Sequence, residues 1–136
     1  MSRLNGSLDA NIILRLLTKD IPDKYVLAQK LITSGAQFDV ADTAIIESIY
    51  ALHEYYKVPR QLVKEAIQAL QTNKNLRINI PVFDEALALF VRRPALSVED
   101  CYLASRAKQQ AALPLWTFDK KLSKQSDGLA KELGII

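Results

Sequence analysis

The chain has few of the residues that brace or arm many small proteins. It holds one cysteine, Cys101, and one histidine, His53, in 136 residues. One cysteine excludes an intramolecular disulfide. One histidine excludes a zinc cluster and leaves no choice of base for a Ser-His-Asp triad, so His53 is expected in a structural or surface role. Cys101 reads first as a small core residue. The four glycines are scattered, so no glycine-rich phosphate loop exists. Apolar runs such as Ala86 to Val91 are far shorter than the roughly 20 residues that span a bilayer. Asp9 and Arg15 interrupt any apolar stretch near the start, so neither a signal peptide nor a membrane partner is expected. A reducing cytoplasm is the expected compartment. Repeats, low-complexity tracts and linkers are also missing.

What remains is the composition of a compact soluble domain, 49% apolar and 24% charged. The length suits one domain over residues 1–136, with a proper hydrophobic core. The formal net charge is +3. Setting aside four acids considered below leaves 11 against 18 Lys and Arg, a balance of +7 for everything else. A basic shell around an acidic pocket suits a phosphodiester substrate and a metal ion.

Apolar spacing predicts an alternation of strands and helices. Strands are expected over Leu4–Leu8, Gln37–Ala41, Leu76–Ile80 and Leu113–Thr117. In the third, Leu76, Ile78 and Ile80 share one face. Helices are expected over Asn11–Thr18, Pro22–Ser34, Thr43–Tyr56, Pro59–Thr72, Val82–Arg92 and Ser97–Ala111, with short helical pieces over Lys120–Lys124 and Asp127–Leu133. Pro22 suits a first helical turn, and Gly35 the position past a helix end. This order implies an α/β domain with a mainly parallel sheet, whose ligands bind beyond the carboxyl ends of the strands.

Four acids fall where such a ligand would sit. Asp9 directly follows the first expected strand. Asp119 follows the last, in Trp116-Thr117-Phe118-Asp119. Asp100 lies in the first turn of its helix, and Glu47 one turn into the helix that starts at Thr43. Each also has a structural reading. Asp9 and Asp119 suit helix N-termini, and Asp100 stands three residues after Ser97, in capping-box register. Glu47 is surrounded by apolar residues at helical spacing, where burying a carboxylate is costly unless a cation compensates it. Three or four acids at one sheet edge suit Mg²⁺, which prefers carboxylate oxygen, polarises a phosphoryl oxygen and generates hydroxide at neutral pH.

At these residues the sequence resembles PIN domains, and within them the VapC-type ribonuclease toxins of prokaryotic toxin–antitoxin pairs. Leu8-Asp9-Ala10-Asn11 resembles the family's opening motif, with Ala10 where the family usually has Thr or Ser. Ile46-Glu47-Ser48, Val98 to Ala104 with Asp100, and Leu115 to Leu122 resemble the three later acidic motifs. The likeness runs over essentially the whole chain. It implies a PIN-like three-layer α/β/α domain around a mainly parallel sheet of four to five strands. It implies metal-dependent hydrolysis of single-stranded RNA, with Mg²⁺ or Mn²⁺ held by Asp9, Glu47, Asp100 and Asp119. Asn11 and Thr117 would be polar residues that orient the acids or water. A homodimer and a cognate antitoxin are further implied partners. Glu99 adjoins Asp100, but helical register favours Asp100; Asp127 is a weak additional candidate.

Arg15, Lys120, Lys121 and Lys124 are candidate grips for RNA phosphates, although a solvated helix face explains the lysines equally well. Tyr50, Tyr55 and Tyr56 suit base stacking, or core and dimer contacts. Two other functions stay open: a PIN nuclease of RNA processing, and an inactive PIN domain that binds RNA or protein without cutting. A phosphatase or receiver domain fits poorly, because Asp9-Ala10-Asn11 lacks a second early acid.

Overall fold

The computed structural model describes residues 3–134. Among the described residues, seven helices and five strands follow one another. They fall into two compact units, residues 1–79 and 80–136. All strand pairings are parallel, giving the expected α/β class.

The first unit runs β1 (Gly6–Ser7), α1 (Ala10–Thr18), α2 (Pro22–Ile32), β2 (Phe38–Asp39), α3 (Asp42–Glu54), α4 (Arg60–Gln71) and β3 (Leu76–Arg77). Its strands pair in the order β1-β2-β3. Helix pairs bridge successive strands, as parallel pairing requires. Pro22 opens α2, where a missing N–H costs nothing. Lys19 ends α1 in the left-handed conformation, its N–H on the Arg15 carbonyl. Ile13, Ile45, Ile49, Val63 and Ile67 are completely buried, each contributing about 1.5–3 kcal/mol of transfer free energy.

The second unit runs α5 (Ile80–Arg92), α6 (Val98–Gln109), β4 (Leu115–Thr117), α7 (Lys120–Gln125) and β5 (Ala130–Glu132). Helices α5 and α6 pack together, and β4 pairs with β5. Phe83, Leu87, Leu89 and Phe90 of α5, with Cys101 and Ala104 of α6, are buried. The cysteine is thus a core residue, as its type suggests.

Three expectations need correction. Residues Asp127–Leu133 are not helical; they lead into β5. Asp127 and Gly128 both take positive φ, +55° and +86°, which breaks the chain after α7. The Ser126 hydroxyl then accepts the Ala130 N–H, and Leu115 N–H bonds the Leu129 carbonyl, drawing the segment alongside β4. The strand expected through Ile80 stops at Arg77. Ile80 begins α5 instead and is exposed, because Pro81 fits a first helical turn and no strand interior. The first strand is also shorter than its expected span, two residues rather than five. Gly6 lies at φ +156°, a conformation that L side chains rarely adopt, and both residues of β1 are exposed.

Candidate active site

In the first unit, Leu8 N–H bonds the Asp39 carbonyl and carries the chain to the end of β1. Asp9 is the next residue and the N-cap of α1. Its Oδ1 accepts the Ile12 N–H at 3.2 Å. The side chain is exposed and, among the described residues, has no Lys or Arg within salt-bridge reach. Asp9 is therefore anchored through one oxygen, with Oδ2 left for another partner.

Glu47 lies on α3 and is exposed, contrary to the burial on which its case partly rested. Helix α3 keeps a narrow solvent stripe of Thr43, Glu47, Tyr50 and Glu54, spaced three to four residues apart. Its carboxylate needs no buried cation. Sequence reasoning passed over two acids at the carboxyl end of β2, Asp39 in its last position and Asp42 at the start of α3. Arg77 Nε donates to Asp39 Oδ1 at 2.8 Å, and Asn79 Nδ2 reaches Asp42 Oδ2 at 3.5 Å. Asp42 directly follows the expected strand Gln37–Ala41, which was its signal, whereas Asp39 lies inside that strand and gave none. Asp39 is neutralised by Arg77, which leaves it poorly suited to a cation.

Asn11 and Arg15 line a groove of about 530 Å³ between α1 and α2, with Ile12, Lys24, Leu27 and Leu31. The Arg15 guanidinium is engaged through its terminal nitrogens, while its buried Nε has no hydrogen-bond partner among the described residues. The guanidinium donates to the Tyr56 hydroxyl at 2.9 Å, and Tyr56 donates in turn to Asp20 at 2.9 Å. Hydrogen bonds from Thr18 and Tyr56, then the charge of Arg15, hold the Asp20 carboxyl below its ordinary range. Tyr56 thus ties the end of α3 to α1. His53 Nδ1 lies 3.1 Å from the Val58 carbonyl, in keeping with a structural role.

In the second unit, Asp119 directly precedes α7. Its Oδ1 accepts from Lys121 N–H at 2.9 Å and Leu122 N–H at 3.2 Å. Its own N–H donates to Thr117 Oγ1 at 2.9 Å. Thr117 therefore fixes the backbone that carries the acid. Asp100 occupies the third position of α6, its N–H on the Ser97 hydroxyl at 3.2 Å. It is half-buried while Glu99 is exposed, so Asp100 is the acid turned towards the fold. Lys120, Lys121 and Lys124 are all exposed. Asp127 is clamped by Arg92 and Arg93, at 2.7 and 2.6 Å, and is not a free carboxylate for a metal.

Within either unit, no three His, Cys, Asp or Glu side chains among the described residues form a ready cation cage. The donors nonetheless suit a hard divalent ion. All four candidates are carboxylates, none is held by a described cation, and two are fixed through a single oxygen.

The PIN domain family model matches residues 7–127, a span that contains all four acids. The chain belongs to the PIN domain family. PIN domains have a nuclease-type fold and are generally nucleases that use divalent metals, which makes nucleic acid the expected ligand class. Neither the curated proteins nor the solved structures yield a match. Among the described residues, no helix is long and apolar enough to cross a membrane.

Proposed function

We propose that this PIN domain is a metal-dependent endoribonuclease, acting as one domain over residues 1–136. The observation that carries the reading is the placement of Asp9 and Asp119. Both follow parallel strands, both cap the next helix through Oδ1, and both lie inside the matched PIN segment. Parallel α/β folds bind ligands at that strand end. Asp9, Glu47, Asp100 and Asp119 would hold Mg²⁺ or Mn²⁺. The ion, when bound, supplies Lewis-acid polarisation of the phosphoryl group and a more acidic water.

Backbone N–H groups of α1 and α7 hold the Asp9 and Asp119 carboxylates in one orientation. Thr117 positions Asp119 through its backbone. Asn11, exposed two residues after Asp9, is placed to orient water or an acid. Lys120, Lys121 and Lys124 add positive charge for the RNA backbone.

Cleavage of single-stranded RNA should require Mg²⁺ or Mn²⁺ and stop with a chelator. Undiminished cleavage by Asp9→Asn and Asp119→Asn proteins would refute the reading.

The role of toxin in a type II toxin–antitoxin pair, with a cognate antitoxin and a homodimer in the cytoplasm, is the form of this function that the VapC-like motifs favour. Growth arrest on expression, relieved by the product of an adjacent small reading frame, tests it. Arrest without such a partner favours a PIN nuclease of RNA processing.

A further inference from the structure

The second unit exposes aromatic surface that the four acids do not use. Trp116 is 56% exposed and Phe118 is 79% exposed. Trp116 lies in β4 and Phe118 is the first residue past its end, where the strand's alternation carried one residue on would place both on one face of the β4–β5 sheet. Leu115 and Thr117, on the opposite face, are half-buried. Lys131 pairs with Trp116 across the parallel strands and shares its face. Its Nζ lies 5.7 Å from the centre of a Trp116 ring, within cation–π range. Leu133 extends the face and is 49% exposed. Large exposed apolar groups gathered on one face mark a binding surface.

Charge selects the occupant. Residues 116–134 contain four lysines and three acids. Asp119 turns Oδ1 to the α7 backbone, Asp127 is clamped by Arg92 and Arg93, and Glu132 lies on the other face by strand alternation. The face itself thus carries the Lys131 ammonium and no carboxylate, with Asp119 just past Phe118 at its edge. Aromatic rings interleaved with lysines suit a chain that is both anionic and rich in flat faces.

We propose that the face bearing Trp116, Phe118 and Lys131 is a stacking platform for the bases of single-stranded RNA. The proposal rests on the nuclease reading and adds how substrate is held next to Asp119. Residues two apart in a strand are about 6.8 Å apart, so the two rings suit bases splayed from one strand. Duplex bases keep their faces stacked on one another and offer none to the rings. A base arriving on the indole displaces Lys131 towards a backbone phosphate, which an ammonium binds as a point charge.

Trp116 is the single tryptophan, so its emission reports this face alone. The full chain, in chelator to prevent cleavage, is titrated with a single-stranded RNA decamer, an abasic strand of equal length and the corresponding duplex. The single strand should quench Trp116 saturably, while the abasic strand and duplex leave the emission nearly unchanged. Phe118→Ala should weaken binding about tenfold or more, the scale of one lost base–aromatic stack. By anisotropy, Trp116→Phe should bind near wild type and Trp116→Ala should not, which separates stacking from a folding defect. Equal quenching by the abasic strand, or an unchanged affinity in Phe118→Ala, overturns the platform. So does emission that changes with protein concentration without RNA, the mark of a face that pairs two copies. A separate cleavage assay with Mg²⁺ keeps the two readings apart. Cleavage without base-dependent quenching overturns the platform alone. Quenching without cleavage overturns the nuclease and leaves an RNA-binding PIN domain.

Discussion

Asp119 offers a test in which stability and chemistry separate at one residue. Its Oδ1 accepts two N–H groups of α7, a helix of only six residues with little else to hold its first turn. Asp119→Ala removes the acceptor and should cost about 1 kcal/mol, the usual scale of a lost N-cap. Unfolding entropy near 2.1 cal/mol/K per residue converts that, for 136 residues, to a fall of about 3–4 °C in Tm. Asp119→Asn keeps an acceptor that caps as well as Asp does. It loses only the attraction of charge to the helix dipole, a few tenths of a kcal/mol at an exposed site. Its Tm should therefore stay within about 2 °C of wild type. RNA cleavage behaves differently if Asp119 binds the metal. Lewis-acid stabilisation is worth several kcal/mol, and each 1.36 kcal/mol is tenfold in rate, so both variants should lose about 100-fold or more. Thermal melts and cleavage of a labelled RNA in Mg²⁺ read the two effects independently. An Asn variant that cuts at more than about a tenth of the wild-type rate would refute the metal role and leave Asp119 as a cap alone.

Other outcomes follow from other parts of the fold. Mg²⁺ or Mn²⁺ should raise the Tm, by about 2.7 kcal/mol of stability at a hundredfold excess over Kd, and Asp9→Asn with Asp119→Asn should abolish the gain; an equal gain in the double variant argues for binding elsewhere. The hydrogen bonds of Arg93, then of Arg92, hold the Asp127 carboxyl below its ordinary value of 3.8. A depressed folded-state pKa means that the clamp stabilises fully above about pH 3.8 and is lost as pH falls through the lower folded value. Wild type should therefore lose more Tm than Asp127→Asn between pH 4 and pH 2.5, and parallel curves would contradict the clamp. Ser105 is 1% exposed and its hydroxyl has no hydrogen-bond partner among the described residues, whereas the buried Ser48 hydroxyl donates to the Ala44 carbonyl. Ser105→Ala should stabilise by about 1 kcal/mol in denaturant unfolding while Ser48→Ala does not, and a destabilised Ser105→Ala would show a partner for the hydroxyl.

Helices were more legible in the sequence than strands, for a local reason. Expected starts and stops of α1, α4 and α6 lie within two residues of the observed ones, because Asp9, Ser97 and the apolar spacing act within one or two turns. Strand limits depend on partners far along the chain. Ile78 and Ile80 alternate as a strand should, yet pairing with β2 ends at Arg77, and Pro81 favours a helix start. Residue 130 joins a strand because Leu115 is its partner, a contact no local pattern records. The exposure of Glu47 was hidden for a similar reason. Apolar neighbours surround it in sequence, but Tyr50, counted among them, is itself 44% exposed and marks the outer stripe of α3.

The capping and catalytic readings of Asp9 and Asp119 look like rivals in the sequence, yet the observed geometry is compatible with both. A carboxylate that only capped could be Ser, Thr or Asn at no loss, since these cap equally well or nearly so. A carboxylate that only bound a metal would swing on its own χ1 and χ2 and lose affinity to that freedom. Anchoring Oδ1 on helix N–H groups fixes the rotamer and leaves Oδ2 open. The hydrogen bonds that make each residue look like an ordinary cap would also hold a ligand oxygen still if a metal binds there. Asp100 sits in a helical first turn of the same kind, with its backbone N–H on Ser97 and its side chain half-buried. Glu47, mid-helix and exposed, has no such anchor among the described residues. Of the four it should therefore tolerate replacement best, with Glu47→Gln retaining more cleavage than Asp9→Asn or Asp119→Asn.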